Sequence, residues 1–141
     1  METNFFSFQE VVTGSNAYEL YLEARYQVFC EELGRVVPTG MKSSRGRDIE
    51  TDQYDPVSRH FLAFHKPSGA VAGFVRVIMP SPLGLNVSPR YIIEKPLPYQ
   101  DVTDAVLGEI SRMAIVPVFR RRHSDRGRPF QGDPELEMSL Q

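Results

Sequence analysis

Two apolar runs of strand length, His60-Phe61-Leu62-Ala63-Phe64-His65 and Ala70-Val71-Ala72-Gly73-Phe74-Val75-Arg76-Val77-Ile78-Met79, stand on either side of Lys66-Pro67-Ser68-Gly69. Strands joined by so short a turn can only pair antiparallel, so this hairpin commits the chain to a sheet. Within its second arm, side-chain alternation sends Arg76 to the face opposite Val75 and Val77. That arginine either faces solvent or answers acids placed elsewhere. A third run, Leu107 to Val118, is rich in β-branched residues and reads as a largely buried strand. It carries Glu109 and Arg112, and burying them costs free energy unless they pair with each other or with a substrate. Arg120, Arg121 and Arg122 follow it. They offer planar donors of the kind that grip phosphates, or else they form a solvated basic turn.

The remaining elements attach to this core. Phe5 to Val12 can form a first strand. Asn16 followed by Glu19 resembles a helix-capping pair, and Tyr18, Tyr21, Leu22, Arg25, Val28, Phe29 and Leu33 recur at helical spacing before Gly34 ends the helix. Residues 35–55 form a long aperiodic loop, and loops of that length in compact domains are often functional or mobile. Pro80 to Pro89 is another loop, and Tyr91 to Glu94 starts a short helix that Pro96 and Pro98 break. From residue 120 to 141 the chain is polar, with a weak helical hint at Glu135, Leu136, Met138 and Leu140. This order predicts a single α/β (α+β) domain over 1–141, an antiparallel sheet with helices packed against it.

Composition narrows the function classes. A length of 141 residues suits one core, and 41% apolar with 24% charged residues is the balance of a soluble globular protein. No apolar run approaches the ~20 residues of a membrane span. The amino terminus METNFFSFQE lacks the basic and apolar segments of a signal peptide, so a cytoplasmic location is expected. A net charge of −2 argues against general nucleic-acid binding. A single cysteine, Cys30, excludes an internal disulfide and reads as a buried, inert thiol.

The chemistry-bearing residues are mainly charged. Asp48, Glu50, Asp52 and Asp55 crowd the end of the long loop. Counted from Asp48 as an EF-hand, the sixth and twelfth places hold Gln53 and Arg59 instead of Gly and Glu, so no metal site is expected. These carboxylates either form a solvated acidic loop or face Arg25, Arg76 and Arg112. The second arrangement makes a charge-paired pocket suited to an amine substrate. Arg25 and Phe29, four residues apart, share a helix face, where the arginine either joins such a pocket or snorkels to solvent. His60, His65 and His123 have no zinc-like spacing and read as structural.

In order and spacing, Arg25-x-x-x-Phe29, Glu50-x-Asp52-x-x-Asp55, Gly73-x-x-Arg76 and Glu109-Ile110-Ser111-Arg112 resemble the motif series of acyl-homoserine-lactone (autoinducer) synthases. Arg25 to Gly34, Asp52-Gln53-Tyr54-Asp55-Pro56, His60-Phe61-Leu62-Ala63 and Phe119-Arg120-Arg121-Arg122 look closer still to a sister group. That group comprises the acyltransferases of the PEP-CTERM/exosortase system and the N-acyl amino acid synthases. The resemblance spans roughly Tyr18 to Arg122. It implies a GNAT-type acyltransferase fold of a mixed, mostly antiparallel sheet with flanking helices, with the acyl donor lying between the fourth and fifth strands. It further implies acyl transfer from a thioester, acyl-CoA or acyl carrier protein, to a small amine such as an amino acid, with no permanently bound cofactor.

By this resemblance, Glu109 receives the amine proton, Arg112 pairs with acids to orient the site, and Asp52 and Asp55 bind the amine. Arg25 with Phe29 closes the site and Arg76 joins the ionic network. The backbone of Met113, Ala114 and Ile115 runs along the pantetheine, and Phe119, Arg120, Arg121 and Arg122 mark the start of a phosphate loop. Two departures stand out. The lactone synthases carry a tryptophan shortly after the first helix, where this chain has Arg35 and no Trp. Family members also continue past the fourth strand, so an incomplete domain is expected: either a fragment or shortened protein, or one whose open sheet is completed by a second copy. The alternative is a non-catalytic remnant that binds an acyl carrier, a ligand or a partner protein.

Overall fold

The computed structural model describes residues 4–92, 94–95 and 98–120. The expected hairpin is its centre: β2 (Ser58–His65) and β3 (Val71–Ile78) pair antiparallel, with Leu62 opposite Phe74 and His60 opposite Arg76. Gly69 closes the turn at φ 67°, a left-handed conformation glycine adopts without steric cost. β1 (Phe6–Val11) adds antiparallel to β2, and β4 (Glu109–Ile115) adds antiparallel to β3, giving the order β1-β2-β3-β4.

One helix, α1 (Asn16–Arg25), packs across this sheet. Its cap is Ser15, whose side chain accepts the Tyr18 N–H at 3.2 Å; Asn16 is the first helical residue and not the cap. A π-helical segment, Tyr26–Glu32, continues α1, and Gly34 turns the chain away at φ 58°. Tyr21, Leu22, Ala24 and Val28 bury themselves against Val11, Leu62, Phe74 and Val116, with Ile49 arriving from the long loop. That loop is stitched to the helix. Ser43 Oγ donates to Glu23 at 2.6 Å, Ser44 bonds Glu19, and the Glu50 N–H reaches the Leu22 carbonyl at 3.2 Å.

Three expectations are corrected. Tyr91 to Glu94 starts no helix among the described residues; Arg90 and Tyr91 instead turn back to the Val87 carbonyl, and a 3-10 turn appears at Asp104–Val106. The last strand stops at Ile115, because Pro117 has no N–H to offer a ladder and opens the 3-10 turn Pro117–Phe119. Nor is that strand largely buried. Ile110, Met113 and Ile115 are 68%, 71% and 55% exposed, since no described strand pairs with the outer edge of β4.

β4 also carries a bulge. Phe74 faces Ala114 and Arg76 faces Ser111, so β4 uses one residue more than β3 between these pairs. The irregularity includes Arg112 at φ 48°, an uncommon conformation for a residue with a Cβ. Just beyond it, a Cβ on Gly73 would lie 3.0 Å from the Ala114 carbonyl oxygen. Gly73→Ala is therefore expected to push β4 off β3 and lower stability by ~1–3 kcal/mol, read as a lower denaturation midpoint; an unchanged midpoint would refute the close approach.

Candidate active site

Charges converge between α1, the long loop, β3 and the β4 bulge. Arg25, in the last turn of α1, has no exposed side chain, which rules out snorkelling. Its Nε donates to Glu50 Oε2 at 2.5 Å and its Nη1 to Asp55 Oδ1 at 2.6 Å. Arg76 is equally buried, and the solvent-facing reading fails for it too. Its Nη1 bridges Asp52 at 2.5 Å and Asp55 at 2.8 Å, while its Nε donates to Ser111 Oγ at 2.9 Å. Arg112 closes the ring, its Nη2 lying 3.1 Å from both Glu50 Oε1 and Asp52 Oδ2. Three arginines thus interlock with three carboxylates, and the solvated acidic-loop reading fails for Glu50, Asp52 and Asp55.

Local structure holds the acids in place. Asp55 opens a 3-10 turn, Asp55–Val57, and its Oδ2 accepts the Asp52 N–H at 2.8 Å. Asp52 Oδ1 in turn accepts the Tyr54 N–H at 2.9 Å. Asp52 and Arg112 form the network's solvent side, with side chains 21% and 17% exposed, whereas Arg25 and Glu50 are enclosed. Phe29 supplies a wall, edge-on to Phe74 and 5.4 Å from the Arg112 guanidinium.

Protonation behaviour follows from this packing. Burial works to lower the Arg25 pKa, but Tyr21, Asp55 and Glu50 together outweigh it and raise it. Burial similarly opposes the charge of Asp52, and the Arg76 hydrogen bond prevails, holding that carboxyl below its ordinary value. Burial pushes the Tyr18 hydroxyl up to about 12 and raises the Cys30 thiol, so neither is a ready nucleophile at neutral pH.

Glu109 stands apart. It makes no ion pair with Arg112 among the described residues; its Oε2 accepts the Val87 N–H at 3.0 Å, tying the loop before β4 to that strand. Arg120 donates through Nε to the Ile115 carbonyl at 2.6 Å and forms a two-pronged pair with Glu32. Its guanidinium therefore already has an acid partner. Phe119 packs against Phe6 and His65, and Met113, Ala114 and Ile115 lie along the outer strand β4. Arg121 and Arg122 lie outside the described residues. Glu50, expected only as one of four loop carboxylates that face either solvent or the arginines, is the acid shared by Arg25 and Arg112. Ser111 and Tyr21 were missed.

A family model described as an acetyltransferase (GNAT) domain matches residues 24–127. The chain belongs to the GNAT acetyltransferase domain family. That match covers α1's last residues, the acidic loop, the hairpin and β4, so every arginine and carboxylate of the network falls within the GNAT domain. Among solved structures, the GNAT chain resembles TofI in a ternary complex with an inhibitor and MTA. The similarity has a TM-score of 0.51 at 22% identity and covers 79% of this chain. It spans 56% of TofI, so the likeness speaks for the fold over that part. No curated protein matches the sequence. No helix among the described residues is long and apolar enough to cross a membrane.

Glu50→Gln keeps the shape of the shared acid and removes its charge. It is expected to cost ~3–5 kcal/mol of stability, because the buried Arg25 loses a partner it cannot replace with water. Chemical denaturation checks this, and a loss under ~1 kcal/mol would contradict the enclosed pairing. Acid gives a second check. With its folded pKa below 3.8, Asp52 contributes stability that is present above pH 3.8 and lost as pH falls further. Asp52→Asn should flatten the acid limb of stability against pH; a limb of unchanged slope would speak against the pairing.

Proposed function

We propose that this GNAT domain is an amine N-acyltransferase that moves an acyl group from a thioester, on acyl-CoA or acyl carrier protein, to an amine such as an amino acid. The observation that carries this reading is the partly solvent-accessible Asp52–Arg112 pair at the β4 bulge, Arg112 lying on the strand that also bears Glu109. An acid and a base at the edge of a rigid ionic cluster suit an acceptor with both an amine and an acidic group. Asp52, with Asp55 behind it, takes the amine; Arg112 orients the acceptor; Arg25, Arg76 and Phe29 keep these groups in place. Glu109 receives the amine proton, through water, as the C–N bond forms. The C–S bond then breaks as the amide carbonyl re-forms, and the sulfur leaves as a thiolate that takes up the proton Glu109 received.

Met113, Ala114 and Ile115 offer backbone groups along the donor, with Phe119, Arg120, Arg121 and Arg122 toward its phosphates. Affinity with the PEP-CTERM/exosortase-associated acyltransferases, a cytoplasmic setting and a homodimer that completes the open sheet belong to the same proposal. The exposed apolar side chains of β4 favour a second reading, a non-catalytic module that binds an acyl carrier or partner protein.

Thiol release from acyl-CoA and from acylated carrier protein, against a panel of amines, tests both readings. Amine-dependent release is expected, reduced ~100-fold or more in Glu109→Gln, the usual scale of lost general-base catalysis. Release no greater than that of the variant would sink the enzyme reading. Carrier binding by fluorescence without any turnover would support the second.

A further inference from the structure

His60 is buried beside the ionic cluster and belongs to none of its ion pairs. Its Nε2 lies 3.2 Å from the backbone carbonyl of Asp55. A carbonyl only accepts, so Nε2 carries the hydrogen and Nδ1 is the bare nitrogen. Among the described residues that Nδ1 has no hydrogen-bond partner. The ring is packed against Tyr18 and Tyr21 of α1, at centroid distances of 5.0 and 4.8 Å. It stands opposite Arg76 on β3 and Val11 on β1. The groups that act on it are the Tyr18 and Tyr21 rings, the cations Arg25 and Arg76, the Asp55 carboxylate and, from β1, Glu10. Asp55 is the acid that joins Arg25 to Arg76.

We propose that His60 is a positioning residue of this site: its neutral ring, donating to the Asp55 carbonyl, sets the segment whose carboxylate spans Arg25 and Arg76, and protonating it releases that segment. This rests on reading the cluster as the acceptor site. A proton on Nδ1 would create a buried N–H with no acceptor and a further cation beside two arginines. The Asp55 carboxylate opposes this, but it already serves both of them. Burial, against the pull of Asp55, keeps the ring's pKa below its ordinary 6.5. The unfolded chain therefore takes the proton first as pH falls, and the contribution of His60 to stability is present above pH 6.5 and lost below it.

Nitrogen NMR of the His60 ring and of the arginine Nε–H groups, recorded from neutral to mildly acidic pH, tests the proposal without turnover. The Arg25 and Arg76 signals are expected to move together with His60 protonation in the wild type and to stay fixed over that range in His60→Gln, which retains a donor that cannot charge. Arginine signals indifferent to His60 protonation would overturn it. In the thiol-release assay the wild-type kcat/KM should gain, below the folded His60 pKa, a fall of about tenfold per pH unit over and above the slope that protonation of the acceptor amine gives both proteins, and His60→Gln should lose that added limb. Persistence of the same limb in the variant would also overturn it. Absence of turnover in every protein would count against the acyltransferase reading, and the NMR result would still decide the role of His60.

Discussion

The interlocked charges of Arg25, Arg76 and Arg112 with Glu50, Asp52 and Asp55 hold the structure's parts in register. The three arginines come from different elements, the end of α1, the middle of β3 and the bulge of β4, and the three carboxylates from one loop with little regular structure. Taking so many ions out of water is expensive, and their attraction repays this only when each is paired in good geometry. The cluster therefore contributes specificity of arrangement more than net stability. It also explains why a loop of about 20 residues stays in place, since its carboxylates anchor one end while Ser43 and Ser44 anchor its middle to α1.

The bulge in β4 is the second constraint, and it serves the first. In an unbroken ladder, alternation would send Ser111 and Arg112 to opposite faces. The extra residue and the left-handed backbone of Arg112 allow Ser111 to bond Arg76 while Arg112 reaches Glu50 and Asp52. Backbone strain at a charged residue on a GNAT strand is what a functional position would tolerate. Glu109, three residues earlier, pairs with Ile78 in the ladder before the bulge, and among the described residues its carboxylate accepts the Val87 N–H rather than an arginine.

Much of the fold was legible because its signals are local. Alternation and the Lys66–Gly69 turn located the β2–β3 hairpin, and helical spacing located α1 with its continuation toward Gly34. The failures had both local and tertiary causes. Tyr91 to Glu94 had apolar spacing but not enough residues to repay helix nucleation beside two prolines. The apolar β-branched residues of β4 predict burial, but the sequence of a strand does not say whether another strand lies on its outer edge. Ser15 outcompeted its neighbour Asn16 as the cap, a one-residue difference that side-chain geometry decides.

For the site, the chain's own sequence determined which charges exist and that Arg25, Arg76 and Arg112 occur in otherwise apolar patterns where a lone charge would be costly. It left two outcomes for each, a solvent-facing charge or one met by acids. Only the tertiary structure decided which acids those are. Glu50, not Glu109, lies between Arg25 and Arg112; Asp55 bridges two arginines; and Arg120 is taken by Glu32. Such pairings join residues up to 88 positions apart. Periodicity records the face on which a side chain lies, but the partner across that face depends on how separate elements pack, and no local pattern encodes it.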